Sequence, residues 1–162
     1  MRVLGLAVDV PPSKKLTVRA VLLEATSSLL VPGDAAGVAW ADDFTIVVTE
    51  SDLAAQLKEI GDATRGRVQS LKPDRVAIRR ADRPPRPNNH DGPRFRLLAE
   101  GALTVVSRAE VLDTRLKTGK EWAADFGASK DVLEERARDL AAGRPSALVG
   151  AAGAALAASH SA

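Results

Sequence analysis

The sequence predicts an α/β fold in which helices flank a five-stranded mixed sheet. Two observations lead to this prediction. Three short apolar runs in the first fifty residues have the composition of β-strands and are separated by turn residues. After Ser51, apolar residues recur at helical spacing, and helical segments then alternate with further short apolar runs. Consecutive strands favour antiparallel pairing, and strands that alternate with helices favour parallel pairing, so both kinds are expected in the sheet.

The first three strands are expected to form an antiparallel meander. Arg2–Val10 is a short apolar run typical of a buried strand, and a second run covers Leu16–Leu23. Thr45–Thr49 is predicted to be the third strand. Before it, Ser27–Asp43 contains the turn sequence Pro32–Gly33–Asp34 and is predicted to be a turn-rich connection.

Helices and strands are predicted to alternate in the rest of the chain. Ser51–Asp52 is a suitable N-cap for a helix that runs to Leu71, and Pro73 prevents its continuation. Three prolines and two asparagines within residues 84–89 predict a loop. The later elements are a strand at Val76–Ile78, a helix from about Arg94, a strand at Val111–Leu116, a helix near Lys130–Ala142 and an alanine-rich helix from Pro145.

Length and composition fit one soluble domain over residues 1–162. The chain is 45% hydrophobic and 27% charged, and it has no cysteine, which excludes disulfides, thiolate zinc sites and cysteine nucleophiles. The longest nearly apolar run, Ala147–Ala158, is shorter than the ~20 residues that cross a bilayer. We therefore expect a cytoplasmic protein without membrane association. Residues 156–162 are expected to be a frayed tail.

Basic residues concentrate in one segment, although the whole chain carries a net charge of only +2. Leu71–Leu98 holds eight basic and three acidic side chains, and it includes the proline-rich loop. Arginine outnumbers lysine sixteen to seven in the chain, and its planar guanidinium suits phosphate contacts. The segment is therefore a candidate for nucleic-acid contact, and a solvated loop is the alternative interpretation.

Four short segments, spread over nearly the whole chain, carry a family resemblance. They are Val3–Leu6, Lys72–Ile78, Ala99–Leu103 and Gly150–Ala154. In this order and at these separations they resemble the RuvC-type Holliday-junction resolvases, a branch of the RNase H-like superfamily. The predicted order of strands and helices is also that of an RNase H-like fold.

The resemblance implies a nuclease site that this sequence lacks. In the family, four carboxylates at the strand ends and on the last helix hold two divalent metal ions, which activate water and stabilise the leaving oxygen of a phosphodiester. The corresponding positions here are Ala7, Arg79, Gly150 and Gly153. A guanidinium cannot ligate a cation and stays protonated. We therefore expect no catalytic residues, no metal cofactor and no DNA hydrolysis at this site.

A displaced metal site is the alternative. Asp9 lies two residues after Ala7 and so faces the same side of the sheet, and Asp82 and Asp125 are further candidate ligands. Such a cluster would hold Mg²⁺ or Mn²⁺. The competing interpretation is that these are ordinary strand-end and turn aspartates.

Candidate DNA-binding residues come from the basic segment and from the resemblance. The segment contributes Arg79, Arg80, Arg83, Arg86, Arg94 and Arg96, with the adjacent Phe95 as a candidate for touching a base. The resemblance adds Lys120 and Lys130, because the family has DNA-facing lysines in a glycine-containing stretch before its last helices. It also implies a homodimer, which the small residues of the last helix would permit.

Three functions remain open from the sequence. The first is a catalytically inactive RuvC-like protein that binds DNA, with branched DNA or Holliday junctions as the candidate ligand. The second is a metal-dependent, structure-selective endonuclease with relocated acidic ligands. The third is a dimeric protein–protein scaffold that does not bind nucleic acid.

Overall fold

A five-stranded mixed sheet forms the centre of the protein, as predicted. The computed structural model describes residues 1–11, 13, 15–26, 31–82 and 91–161. The strand order is β3-β2-β1-β4-β5. The first three strands pair antiparallel, and β4 and β5 continue the sheet from β1 in parallel. The strands are β1 (Arg2–Asp9), β2 (Thr17–Ala25), β3 (Val38–Val47), β4 (Arg75–Arg79) and β5 (Thr114–Lys117).

Two strands differ from their predicted bounds by three residues or more at one end, and the other three differ by one or two residues. Strand β3 begins at Val38, inside the stretch predicted to be a connection. It is the edge strand and most of its side chains are partly or fully exposed, so it lacks the apolar pattern that marks a buried strand. Strand β5 begins at Thr114 rather than Val111, because the helix before it ends only at Glu110.

Among the described residues, five α-helices cover the sheet. They are α1 (Leu53–Leu71), α2 (Asp91–Glu110), α3 (Gly119–Phe126), α4 (Lys130–Leu140) and α5 (Val149–His160), and a short 3₁₀ helix (Ser146–Leu148) precedes α5. Helix α2 starts three residues before the predicted Arg94, since its first turn tolerates Pro93. Helix α3 is not among the predicted elements. Thr118 and Glu121 form a capping box at its start.

The sheet separates two apolar cores because side chains of β1 alternate between its faces. Leu4, Leu6 and Val8 pack on the side of α1 and α2. Val3 and Ala7 pack on the side of α3, α4 and α5. Trp122 and Phe126 of α3 are fully buried in this second core. These two aromatic side chains are therefore not available to insert between DNA bases.

Helix α5 lies unusually close to the sheet. A Cβ atom added to Gly5 of β1 would stand 2.0 Å from the carbonyl oxygen of Ala151. The small residues of α5 therefore serve its packing on β1 within one chain. Helix α5 runs antiparallel to β4. Arg75 at the start of β4 donates hydrogen bonds to the carbonyl oxygens of Ala158 and Ser161, which lie at the carboxyl end of α5.

The expectation of a frayed tail over residues 156–162 is wrong for most of that range. Residues 156–160 belong to α5, and residues 156–159 are buried. The ring of His160 packs edge-on against Phe126, with 4.8 Å between ring centroids. Among the described residues, no helix combines the length and the hydropathy needed to cross a bilayer.

We expect Gly5→Ala to lower the free energy of unfolding by about 2–3 kcal/mol, because the added methyl group collides with backbone rather than with a movable side chain. Urea denaturation measures the change. The matched control is Gly66→Ala on α1, where a Cβ has open space and the free energy of unfolding should rise by about 0.5–1 kcal/mol. Equal midpoints for Gly5→Ala and the unchanged protein would contradict the close contact.

Candidate functional site

A cavity of about 330 Å³ lies at the edge of the sheet where the parallel strands end. All four positions at which the RuvC resemblance expects carboxylates line it: Ala7, Arg79, Gly150 and Gly153. Asp9, Arg96 and Glu134 are its other charged lining residues. Residues from β1, β4, α2, α4 and α5 thus meet in one place. The carboxyl ends of strands are where open α/β sheets bind ligands.

The fold explains why these positions come together. Ala7 and Arg79 are register partners on the neighbouring strands β1 and β4. Gly150 lies beside them, since a Cβ built on it would be 3.7 Å from the Cβ of Ala7. A Cβ on Gly153 would instead approach Ala137 of α4, at 3.7 Å. The close packing of α5 on β1 therefore places both glycines at the cavity.

The Arg79 side chain is held inside the protein rather than extended into solvent. It is only 14% exposed, and its guanidinium occupies the space that a Cβ on Gly119 would need. Its Nη2 lies 3.1 Å from a carboxylate oxygen of Asp82 and 3.9 Å from one of Glu134. The cation therefore links the end of β4 to α3 and α4.

Asp82 is the second centre of this ion-pair network. Its carboxylate accepts hydrogen bonds from Lys130 Nζ at 2.7 Å and from the backbone N–H of Gly119 at 3.2 Å. Partial burial raises the pKa of Asp82. The hydrogen bond from Lys130 and the charges of Arg79 and Lys130 outweigh burial, so its pKa lies below the ordinary value.

The residues of the cavity do not fit a pair of divalent metal ions. Mg²⁺ and Mn²⁺ need several oxygen ligands, whereas Ala7, Gly150 and Gly153 have none in their side chains and Arg79 contributes a cation. In the described part of the chain, no three histidine or acidic side chains lie close enough together to hold a metal.

The three fallback acids do not assemble into a displaced site among the described residues. Asp9 pairs with Arg19 at 3.2 Å, at the cavity wall. Asp82 pairs with Arg79 and Lys130. Asp125 pairs with Lys117 at 2.6 Å and accepts a hydrogen bond from Ser161.

The predicted DNA-binding residues fall into three groups. Arg83 and Arg86 lie outside the described residues. The side chains of Arg79, Arg96 and Lys130 face the cavity or its rim and are engaged in ion pairs. Arg80, Arg94 and Lys120 are the more accessible group: Arg80 and Lys120 closely follow β4 and β5, and Arg94 lies near the start of α2.

Within the accessible group, the partners differ. Arg80 is 41% exposed, with Glu121 at 3.9 Å. Arg94 and Lys120 are exposed, and neither has an ion-pair partner within the described part of the chain. These two side chains are therefore the ones most readily available to an approaching anion.

Phe95 does not line the cavity at the strand ends. It is half-buried and borders a second cavity of about 400 Å³, together with Leu53 and Gln56. It also packs against the core on the α1 and α2 side. The structure thus gives Phe95 a packing role on one side of its ring and an accessible hollow on the other.

Sequence reasoning missed two carboxylates of this region. Glu134 of α4 lines the cavity and lies near Arg79, Lys130 and Arg138. Glu100 of α2 is fully buried and accepts hydrogen bonds from Arg96 Nε and from the backbone N–H of Ala81, both at 2.9 Å. The four-residue spacing of Lys130 from Glu134 and of Arg96 from Glu100 was an available signal.

Two solved structures of Thermus thermophilus RuvC have a fold similar to that of this chain. Thermus thermophilus RuvC has 17% sequence identity to this chain and a TM-score of 0.66, and the match covers 97% of this chain and 92% of that one. The T. thermophilus RuvC structure in complex with a Holliday junction substrate gives 15% identity, a TM-score of 0.67 and the same coverage. The chain has the RuvC fold. At these identities the likeness to RuvC establishes the architecture alone.

The predicted resemblance to RuvC is thereby confirmed at the level of the fold. No protein-family model matches the sequence, and the curated proteins give no match. The RuvC fold of this chain carries its cavity at the ends of β1 and β4, with the residues described above.

We expect Asp82→Asn to lower the free energy of unfolding at pH 7 by no more than about 1 kcal/mol, because Asp82 is 38% exposed and its ion pairs are screened by solvent. A lowered folded-state pKa stabilises the protein above the unfolded-state value of ~3.9, and this contribution is lost as the pH falls through the folded-state pKa. The difference between the two proteins should therefore be smaller at pH ~3 than at pH 7. Urea denaturation at both pH values tests this, and an equal difference at both would show that charge is not the cause.

Proposed function

We propose that this protein is a non-catalytic, RuvC-like protein that binds DNA, with branched DNA such as a Holliday junction as its ligand. The observation that carries the proposal is the composition of the cavity at the strand ends. Its four key positions hold two glycines, an alanine and an ion-paired arginine, and so offer no carboxylate. The protein would act in the cytoplasm, on the DNA present there.

The loss of hydrolysis follows from electrostatics. Cleavage of a phosphodiester by two metal ions requires anionic oxygen ligands that concentrate and fix the cations. Arg79 places a permanent positive charge in the same cavity and would repel a metal ion. The acids near it, Asp82 and Glu134, are already paired with cations of the protein.

Two lines support DNA binding. The accessible basic side chains Arg80 and Lys120 closely follow the carboxyl ends of β4 and β5, and Arg94 lies near the start of α2, the helix whose Arg96 lines the cavity. The structure of the RuvC relative in complex with a Holliday junction substrate has the same fold. Phosphate contacts by such residues release counterions, so binding is expected to weaken steeply with salt.

We also propose that the protein is a homodimer. Helix α2 exposes three large apolar side chains, Leu97, Leu98 and Val105. Leu112, two residues after the helix, is also exposed. Gly101, in the middle of this face, has open space beside it and would allow a second helix to approach closely. Exposed apolar side chains grouped on one helix mark candidate interaction surfaces.

The apolar face of α2 is also the observation that favours the second candidate function, a protein–protein scaffold without nucleic-acid binding. A scaffold would use this face and leave the basic edge of the sheet unused. Self-association by a scaffold should change little with salt, because apolar burial does not depend on counterion release.

We expect the protein to bind a four-way DNA junction and to leave it intact with Mg²⁺ or Mn²⁺ present. The logarithm of the association constant should fall linearly with the logarithm of the salt concentration. Arg94→Gln and Lys120→Gln should each reduce the magnitude of this salt-dependence slope by ~0.9. A gel-shift titration in several salt concentrations, followed by a cleavage assay, measures both. The matched control is Lys58→Gln on α1, where the lysine is paired with Asp62.

Two results would contradict this proposal. Metal-dependent cleavage that Asp9→Asn abolishes would support the endonuclease with relocated ligands. Salt-insensitive self-association without any shift of DNA would support the scaffold.

We expect the double variant Leu98→Glu, Val105→Glu to be monomeric at concentrations at which the unchanged protein is dimeric. Four carboxylates, two from each protomer, on a two-fold interface should weaken association by about two orders of magnitude or more. Sedimentation velocity measures the change. Val47→Glu is the control, since Val47 is also exposed but lies on β3. A dimeric double variant would exclude α2 as the interface.

A further inference from the structure

We propose that the cavity at the strand ends receives one backbone phosphate of the bound DNA, and that Arg96 makes the main contact with it. This inference rests on the proposed DNA binding and specifies what occupies the cavity. The ligand is a phosphodiester monoanion held directly by a guanidinium, without a metal ion between them.

The buried carboxylate of Glu100 fixes the orientation of the Arg96 side chain toward the cavity. The Nε of Arg96 donates to Glu100 at 2.9 Å, and Glu100 is fully buried. The same carboxylate oxygen accepts the backbone N–H of Ala81, which fixes Glu100 against the chain just after β4. Glu100 is therefore a positioning residue for Arg96.

The outer end of the Arg96 side chain is available for a ligand. Its two terminal nitrogens have no hydrogen-bond partner among the residues that the structure describes. The side chain is 30% exposed and lines the cavity. Two parallel N–H groups in a fixed plane match the geometry of two phosphate oxygens. Arg79 differs, because both Asp82 and Glu134 already approach its Nη2.

The charge around the cavity suits one monoanion. We consider the charged side chains that line the cavity and those that pair with them, within the described residues. Five cations face four carboxylates, an excess of one positive charge. The cations are Arg19, Arg79, Arg96, Lys130 and Arg138, and the carboxylates are Asp9, Asp82, Glu100 and Glu134. A bound phosphodiester would balance this excess.

The space for the ligand comes from the small residues of the cavity. Ala7, Gly150 and Gly153 leave about 330 Å³ open, which is at the lower end of the range of ligand sites. A side chain on Gly150 would begin in ordinary contact with Ala7, so it would enter the cavity without a backbone collision. The cavity can therefore be filled without a change of charge.

The test compares a steric variant with a charge variant in junction binding. Gly150→Leu occupies part of the cavity and alters no charge, and we expect the dissociation constant to rise about tenfold and the salt slope to fall by ~0.9. Arg96→Gln should give the same two changes, because it removes the cation that the phosphate contacts. The controls are Gly66→Leu, on α1 in open space, and Arg65→Gln, which removes an ion-paired arginine near the other end of α2. Thermal melting establishes that each variant is folded. If Arg96→Gln does not fold, the binding of Gly150→Leu alone tests whether the cavity receives a phosphate.

Equal binding by the unchanged protein and Gly150→Leu would overturn the inference. If Arg96→Gln alone weakens binding, Arg96 contacts DNA outside the cavity, and the inference is again wrong while DNA binding stands. If the unchanged protein does not bind the junction, the proposed function fails and the inference fails with it.

Discussion

The close packing of α5 on β1 determines the geometry of the candidate site. Gly5 and Ala151 approach so closely that no side chain fits between them, and this distance sets the depth at which the N-terminal half of α5 lies against the strand ends. Gly150 therefore meets Ala7, which in turn is the register partner of Arg79. Glycines within a helix cost up to ~1 kcal/mol each, and tight helix–sheet packing offsets part of that cost. The fold can thus hold its cavity in place without any metal ligand.

An ion-pair network links neighbouring elements beside the cavity, as bound metal ions could otherwise do. Its members are Arg79, Asp82, Lys130 and Glu134. They join the end of β4, the residues just after it and the helix α4, which are separate in sequence. Each member has at least two partners of opposite charge, so the loss of one member leaves the others paired. Cations engaged in this way contribute less to long-range attraction than free ones. The affinity for an anion therefore depends on side chains outside the network.

The fold was largely predictable, because the buried strands and long helices of this chain have strong periodic patterns. Strand β3 was misplaced since an edge strand exposes both of its faces, and α3 was missed although Thr118 and Glu121 carry a capping signal. Four of the positions that line the cavity could be named in advance, but only through the resemblance to RuvC-type resolvases, whose motifs these positions match. Glu134 and Glu100 could not be assigned to the site, because only the folded chain brings α4 and α2 to the cavity.

Charge alone would attract DNA only weakly, because 23 basic side chains face 21 acidic ones and the net charge is +2. At physiological ionic strength the interaction between exposed charges is screened beyond ~8 Å, so the overall charge cannot orient the ligand from a distance. Recognition must then come from the placement of cations at one edge of the sheet. Arg80 and Lys120 stand at that edge, Arg94 lies near the start of α2, and the cavity with Arg96 lies on the same side. Several phosphates of one ligand can contact these cations together, whereas an isolated anion can contact only one of them. This is the physical reason to favour a polyanion such as DNA over an isolated anion.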